Sequence, residues 1–347
     1  MGDVDQLTKQ RPIDQRDASS LDWVYIAKAI GIILVVVGHF SNFPNSPPTY
    51  WSELRNLIYA FHMPLFFLLS GFLFNRLKFT YVELLKNKTE RLLFPFVSVA
   101  LIFFVVKYFA GLRVNLAHPI GIDAIYALLV NPAHSYKPAL WYVHALFIMF
   151  ATYPLARRFL SDAALLAVLV VLNITTSAHA FAFVGNAIAY FPFFIFGVVL
   201  RERTGLLHAV LAGGARFAIP TLLIFIVVYV GSNWPGGRPM YVMTLALGVS
   251  GSLLVINASE HISRNWSTRV SRSLIDIGFY SMTIYLFHTL FESGVRIAAA
   301  QASPYVALPF EAIAIVAIVA GVVLPMLLEK WVLRRNRVTK KFLLGLG

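Results

Sequence analysis

Long apolar stretches, repeated along almost the whole chain, constrain this sequence more than any other feature. Hydrophobic residues make up 59% of its 347 residues and charged residues only 13%, against about 45–50% and about 25% in soluble globular proteins. A soluble fold could not bury that much apolar surface, and in a bilayer the backbone must pair within helices or a closed barrel. Because each stretch is continuous over about twenty residues, helices are predicted rather than alternating barrel strands.

The predicted fold class is an all-α, polytopic transmembrane helical bundle with about ten spans. The fourth and fifth spans are marginal, and the sixth and seventh are short. The first twenty residues lack the layout of a cleaved signal peptide, so the first span is expected to remain as an anchor. The predicted regions are a polar tail at 1–21, a membrane domain at 22–333 and a basic tail at 334–347. The predicted spans are 24–43, 57–77, 92–112, 140–155, 163–179, 187–200, 217–231, 241–257, 275–298 and 306–331.

Basic residues are concentrated in alternate loops. With both termini in the cytoplasm, 22 of the 29 Lys and Arg residues fall in inner segments, as expected because basic residues accumulate on the cytoplasmic side. This predicts cytoplasmic termini in an integral plasma membrane protein, which in a bacterium is an inner membrane protein. The net charge of +13 has the same origin. These cations flank membrane spans, so their predicted partners are membrane lipids and not nucleic acid.

Two ionisable residues share one face of the first span. Lys28 lies in its inner half and His39 near its outer end, eleven residues later. That separation is close to three helical turns, so the two lie on one face about 16 Å apart along the axis. Ionisable groups at membrane depth mark functional sites, although Lys28 also fits a side chain that snorkels to the inner headgroups. Histidine exchanges a proton near neutral pH and therefore suits acid–base catalysis.

Further polar residues fall at a similar outer depth in three other spans. His62 lies in the second span, His144 in the fourth and His288 in the ninth. Glu292 and Arg296 follow His288 by four and eight residues, which forms a polar stripe on one helix face. Such a stripe is expected to line a cavity and not to face lipid. The alternatives are that His62 bonds a free backbone carbonyl and that His144 belongs to an interfacial aromatic belt.

Cations in an inner loop and the absence of common motifs narrow the chemistry. Lys86, Lys88 and Arg91 precede the third span and fit either lipid headgroups or the phosphates of an anionic cofactor. The sequence contains no GxxxxGK[ST], GxGxxG or HExxH motif. It also contains no cysteine, which excludes thiolate ligands and cysteine nucleophiles. No metal site is predicted, and Lys107, within the third span, is assigned no role.

Several segments resemble the acyltransferase family 3 membrane proteins. The first span resembles the first helix of that family through Leu21-Asp22-Trp23, 27–32 and Gly38-His39. The second span, over 61–74, is similar to the fucose O-acetylase-like branch. Further matching blocks, in the same order, are 88–95, 140–147, 193–197 and 280–288. Together they extend over nearly the whole chain.

The resemblance implies transfer of an acyl group, commonly acetyl from acetyl-CoA, to a hydroxyl of a glycan. The donor is expected to enter a ten-helix domain from the cytoplasm, and the acceptor, a glycan or lipid-linked saccharide, to lie outside. His39 takes the place of the catalytic histidine, and Lys28 takes that of an arginine. The inner-loop Arg-x-x-Arg of the family appears as Lys88-x-x-Arg91. Lys28, Lys88 and Arg91 are therefore expected to contact the donor, without the planar fork of arginine at the two lysines.

The residues themselves suggest how such a transfer would work. His39 would take the proton of the acceptor hydroxyl as it attacks the thioester, or would first accept the acetyl group itself. Glu53, in the first outer loop, is the second catalytic candidate because it could orient the imidazole. Trp141 and Tyr142 would stack on a sugar or anchor the interface. The predicted substrate-binding residues are His62, Trp141, Tyr142, His144, His288 and Glu292.

Two other functions stay open from the sequence. A transporter of a lipid-linked glycan, or of a proton-coupled solute, could use intramembrane Lys and His as a relay, although no paired broken helices are evident. A membrane haem protein could use two of the four outer histidines as axial ligands. The sequence does not decide the acceptor, the length of the acyl group or whether the protein is a homo-oligomer.

Overall fold

The computed structural model describes residues 21–40, 47–75, 79–111, 138–176, 183–233, 241–303 and 308–346, with isolated positions between these ranges. Helices dominate these ranges and no strand occurs in them, which confirms the all-α prediction. Two π-helical turns, Thr89–Leu93 and Glu329–Leu333, continue neighbouring helices. The α-helices are α1 Asp22–His39, α2 Thr49–Tyr59, α3 His62–Phe72, α4 Tyr81–Lys88, α5 Phe94–Gly111, α6 Trp141–Ala156, α7 Asp162–Thr175, α8 Gly185–Glu202, α9 Thr204–Ala212, α10 Gly214–Ser232, α11 Tyr241–Asn265, α12 Thr268–Phe279, α13 Ser281–Ala302, α14 Phe310–Leu328 and α15 Arg337–Leu344.

Five helical stretches in the described ranges are long and apolar enough to cross a membrane. They are Asp22–His39, Tyr81–Phe109, Gly214–Ser232, Tyr241–Asn265 and Phe310–Leu333. The pair α12 and α13 adds a sixth if its two halves form one span. The protein is thus an integral membrane protein, whereas the number of ten spans and the cytoplasmic termini stay predictions.

Two stretches predicted as single spans are interrupted. The span predicted at 57–77 divides into α2 and α3, so that His62 begins a new helix and does not lie inside a continuous one. The span predicted at 275–298 bends by 78° between α12 and α13. Neither break contains proline, and the apolar character continues across both. Hydropathy therefore could not reveal them, because it records composition and not direction.

Helix α1 lies at the centre of the bundle. It packs against α2, α3, α11, α12, α13 and α14. Buried residues occur all around it, as expected of a helix surrounded by others. Its fully buried residues include Ile26, Ala27, Ala29, Ile32, Val35 and Val36. A polar side chain on α1 therefore meets the other helices of the bundle.

Helices α3 and α8 cross so closely that only glycine fits at the crossing point. A Cβ at Gly71 would overlap the carbonyl oxygen of Phe194, and a Cβ at Gly197 would overlap that of Leu68. Each glycine thus makes room for the backbone of the opposite helix, the small-residue packing common between membrane helices. The crossing fixes the position of α3, which begins with His62.

The basic tail predicted at 334–347 packs onto the membrane domain. Arg334 pairs with Glu329 at 2.7 Å and lies over the ring of Phe279, 4.8 Å from its centroid. Farther on, Phe342 of α15 stacks on Phe94 at the start of α5, with 5.3 Å between centroids. The tail is therefore tied to the ends of α5, α12 and α14.

Candidate functional site

His39 is the last residue of α1, and its own helix orients the ring. Its Nδ1 lies 2.9 Å from the carbonyl oxygen of Val35, one turn earlier. In a neutral imidazole this hydrogen bond places the proton on Nδ1, so that the lone pair is on Nε2. A lone pair held in a fixed direction is what a general base requires.

Two other histidines repeat this geometry. His62 Nδ1 lies 2.8 Å from the carbonyl oxygen of Ile58. His288 Nδ1 lies 2.8 Å from the carbonyl oxygen of Tyr285 and 3.0 Å from that of Ile284. His62 thus does bond a backbone carbonyl, and that bond leaves Nε2 as the nitrogen directed away from its own helix.

The structure brings the three histidines into one cluster. The rings of His39 and His288 meet edge to face with 5.1 Å between centroids. Tyr59 lies between His39 and His62, with its ring 6.4 Å from that of His39 and 5.0 Å from that of His62. The hydroxyl of Tyr59 donates to the carbonyl oxygen of Gly38 at 2.9 Å, which holds this ring against the end of α1.

His39 lines two cavities. The first, which we call the histidine cavity, has a volume of about 250 Å³; its lining includes His39, Tyr59, His62, Trp141, Tyr190 and Tyr285. The second, the side cavity, has about 460 Å³ and lies between α5 and α13; its lining includes His39, Phe103, Val106, Lys107, Leu290 and Ser293. Lys107, which had no role from sequence, thus shares a cavity with His39.

Lys28 lines a third space, the lysine cavity, of about 130 Å³. Its lining includes Lys28, Phe66, Ser70, Tyr142, Met282 and Tyr285. Within the described part of the chain, no carboxylate pairs with Lys28, whose Nζ lies 5.5 Å from the centroid of the Tyr25 ring. Tyr285 lines both this cavity and the histidine cavity, so one tyrosine side chain is their common wall.

Trp141 and Tyr142, predicted as one sugar-stacking pair, belong to different cavities. Trp141 lines the histidine cavity, and its ring lies 5.1 Å from that of Tyr190. Tyr142 lines the lysine cavity, where its hydroxyl is 3.3 Å from that of Ser70 and its ring 5.4 Å from that of Tyr285. Consecutive residues of a helix point about 100° apart, which separates the two.

The two candidate carboxylates differ in position. Glu292 is only 3% exposed, one turn beyond His288 on α13, and packs against Gly321 of α14. Glu53 is exposed on α2. Neither lines the histidine cavity, and the face of α2 that reaches His39 carries Tyr59. The structure therefore does not place Glu53 where it could orient the imidazole of His39.

His144 lies apart from the other three histidines. Its ring is 4.6 Å from that of Phe183 and 6.3 Å from that of Phe96. Its buried Nε2 has no hydrogen-bond partner among the residues that the structure describes. His144 does not line the histidine cavity, so the geometry gives it no contact with a substrate bound beside His39.

The predicted donor-side cations of the inner loop lie outside the lysine cavity. The Nζ of Lys88 is 3.6 Å from the centroid of the Phe150 ring on α6. Arg91 is exposed on the π-helical turn that follows α4. Lys88 therefore faces the interior of the bundle at the end of α4, whereas Arg91 faces outward.

Sequence reasoning missed Tyr59 and Tyr285. Each stands three residues before a clustered histidine, in the segments Tyr59-Ala60-Phe61-His62 and Tyr285-Leu286-Phe287-His288. Tyr285 and His288 lie on nearby parts of the surface of α13 because they are three residues apart on one helix, whereas Tyr59 ends α2 and His62 begins α3. The repeated Tyr-x-Phe-His pattern is the signal that could have found both tyrosines.

The packing of His39 on His288 bears on the haem alternative for that pair of histidines. In the described ranges no group of three or more His, Asp or Glu side chains is suited to hold a metal ion. The rings of His39 and His288 pack directly on each other at 5.1 Å, which leaves no space between them for a porphyrin.

Comparison with known families places these residues in one domain. A family model described as an acyltransferase domain, that of acyltransferase family 3, matches residues 21–330. The match includes the histidine, side and lysine cavities in full. No curated protein and no solved structure matches the chain.

Proposed function

Because the chain belongs to acyltransferase family 3, we propose that it moves an acetyl group from cytoplasmic acetyl-CoA to a hydroxyl of an extracytoplasmic glycan. The observation that carries this proposal is the common wall formed by Tyr285. Tyr285 lies between the cavity lined by the cation Lys28 and the cavity lined by the positioned base His39. A donor whose polar arm ends in a reactive thioester fits such a pair of sites.

The donor arm would extend along α1. Lys28 and His39 are about 16 Å apart along the helix axis, a distance that an extended pantetheine arm can span. In this arrangement the arm occupies the lysine cavity and passes Tyr285, and its thioester lies in the histidine cavity. Trp141 and Tyr190 would pack around the acyl group there.

The acceptor would approach His39 from the opposite side. The side cavity is mostly apolar and carries one cation, Lys107, which suits a saccharide linked to a lipid by phosphate. Donor and acceptor then meet at the imidazole of His39, which lines both cavities together with Ala139. The likeness to the fucose O-acetylase branch supports a sugar hydroxyl as the acceptor and a bacterial inner membrane as the location.

His39 acts as a general base in this mechanism. As the acceptor oxygen bonds to the thioester carbonyl carbon, its proton passes to Nε2 of His39. The carbon–sulfur bond then breaks, and the imidazolium returns the proton to the departing sulfur of CoA. The Nδ1 hydrogen bond to Val35 keeps the ring in place throughout. His288, in edge-to-face contact, limits rotation of the His39 ring.

The proposal is tested by the glycans of cells that express or lack the protein. Mass spectrometry of surface glycans should show an increment of about 42 Da, the net gain when an acetyl group replaces a hydroxyl hydrogen, on a saccharide only when the protein is present. Identical glycan masses in both strains, together with uptake of a labelled glycan into vesicles, would favour the transporter.

The proposed orientation has its own test, because the chain has no native cysteine. A membrane-impermeant maleimide should label Asn56→Cys on α2 in intact cells. It should label Phe159→Cys, at a position 86% exposed between α6 and α7, only after permeabilisation. The reverse pattern would contradict cytoplasmic termini.

Replacing Lys28 should show whether its side chain binds the donor or only snorkels to the inner headgroups. Lys28→Ala is expected to lower kcat/KM for acetyl-CoA by about 10- to 100-fold, because a charged hydrogen bond to the donor is lost. Lys28→Arg should keep much of the activity, because the charge remains. The measurement is release of free CoA by the purified variants, with Lys330→Ala, an exposed lysine, as the matched control. Full activity of Lys28→Ala would favour snorkelling.

A further inference from the structure

A fourth cavity, near the start of α4, has no role in the scheme above. It has a volume of about 260 Å³, and we call it the arginine cavity; its lining includes Asn75, Phe79, Tyr81, Tyr153, Arg157 and Arg158. The aromatic rings come from three different segments, and the two arginines follow the end of α6. Its chemistry, aromatic rings beside guanidinium groups, is that of a site for a phosphorylated nucleoside.

The arginine cavity lies next to the lysine cavity, which in turn adjoins the histidine cavity. Leu73 lines the lysine cavity, and the next two residues, Phe74 and Asn75, line the arginine cavity. The end of α3 therefore separates these two cavities, as Tyr285 separates the lysine cavity from the histidine cavity. The three spaces follow one another from Arg158 to His39.

The cations at the arginine cavity are arranged for different tasks. Arg157 is held in place, with its Nε 2.9 Å from Asp162, whose carboxylate also accepts a 2.8 Å hydrogen bond from Tyr153. This ion pair leaves Arg158, which is exposed, as the cation whose charge is not offset by Asp162. Tyr81 donates to the carbonyl oxygen of Ala151 at 3.1 Å, which fixes a second ring of the lining.

Lys88 lies close to the arginine cavity, both through its position on α4 and through its contact with α6. On α4 it is one turn beyond Leu84, which lines the cavity. On α6 its ring partner, Phe150, is one turn before Pro154, which also lines the cavity. The inner-loop lysine that the sequence assigned to the donor is therefore adjacent to this cavity and not to the lysine cavity.

We propose that the arginine cavity binds the phosphorylated adenosine end of the CoA thioester, so that one donor molecule occupies the three cavities in series. This inference rests on the proposed function. Adenine would pack among Phe79, Tyr81 and Tyr153, and the phosphates would meet Arg158 and Lys88. The pantetheine arm then lies in the lysine cavity and the thioester beside His39.

The test compares acetyl-CoA with acetyl-pantetheine, which lacks the phosphorylated adenosine. Wild-type protein should show a KM at least about tenfold lower for acetyl-CoA. Arg158→Gln should raise that KM about threefold to tenfold and leave the KM for acetyl-pantetheine unchanged. The matched control is Arg216→Gln, at an exposed arginine that begins α10 and lines none of the four cavities.

Three outcomes would overturn the inference: equal KM values for the two donors, a shift of both in Arg158→Gln, or the same effect from Arg216→Gln. If the wild type transfers acetyl from neither donor, the proposed function fails instead. The cavity is then tested separately by direct binding of adenosine 3′,5′-bisphosphate. Binding that weakens in Arg158→Gln supports the cavity, and undetectable binding contradicts it.

Discussion

Replacing His39 with alanine is expected to lower the rate of acetyl transfer by about a thousandfold or more, while the protein still folds and inserts. A positioned general base contributes about 10²- to 10⁴-fold, and His39 is the imidazole that lines both the histidine cavity and the side cavity. His288 cannot substitute, because its ring is fixed by two carbonyl contacts one turn away on α13. Free CoA released from acetyl-CoA by the purified variant measures the loss.

His208→Ala is the matched control for this prediction. His208 is exposed on α9 and lines none of the cavities near α1, so its removal should leave the rate within about twofold of the wild type. Partial recovery of His39→Ala in a buffer that contains imidazole would support a role in proton transfer. Near-normal turnover of His39→Ala without imidazole would remove His39 from the mechanism.

The largest structural effect is expected at the crossing of α3 and α8. Gly71→Ala would place a methyl group on the carbonyl oxygen of Phe194, and backbone cannot move aside as a side chain can. Overpacking of a core costs about 1–3 kcal/mol for flexible neighbours, so a cost of about 3 kcal/mol or more is expected here. The thermal transition of the purified protein, or its loss of a monodisperse elution peak, measures this effect.

Gly231→Ala on α10 is the control for that substitution. A Cβ at Gly231 meets nothing within 4 Å, and alanine has the higher helix propensity. Its stability should therefore equal or exceed that of the wild type. A Gly71→Ala protein as stable as Gly231→Ala would show that α3 and α8 do not approach as closely as described.

The sequence predicts the site best where one helix decides the geometry. Lys28 and His39 were expected on one face because eleven residues make about three turns, and the structure places them in cavities that share Tyr285. His62 and His288 were likewise expected near His39 from depth alone. Hydropathy and loop charge indicate depth, and depth is what these residues have in common.

Relations between helices were harder to predict. Glu53 was chosen because it follows His39 in the chain, but its direction depends on how α2 packs, and no periodic pattern fixes that. Trp141 and Tyr142 looked like one aromatic unit, although adjacent residues on a helix point to different neighbours. The bend between α12 and α13 was hidden because apolar residues continue through it. The arginine cavity joins segments whose proximity only tertiary packing creates.

Transfer of an acetyl group across the membrane is tested with protein reconstituted in liposomes, with acetyl-CoA and a panel of glycan acceptors on opposite sides. Free CoA should appear on the side of the donor and acetylated glycan on the other side, in equal amounts. Both products should disappear in His39→Ala. If no acceptor in the panel gained an acetyl group, or if His39→Ala formed both products at the wild-type rate, the protein would not be the transferase proposed here.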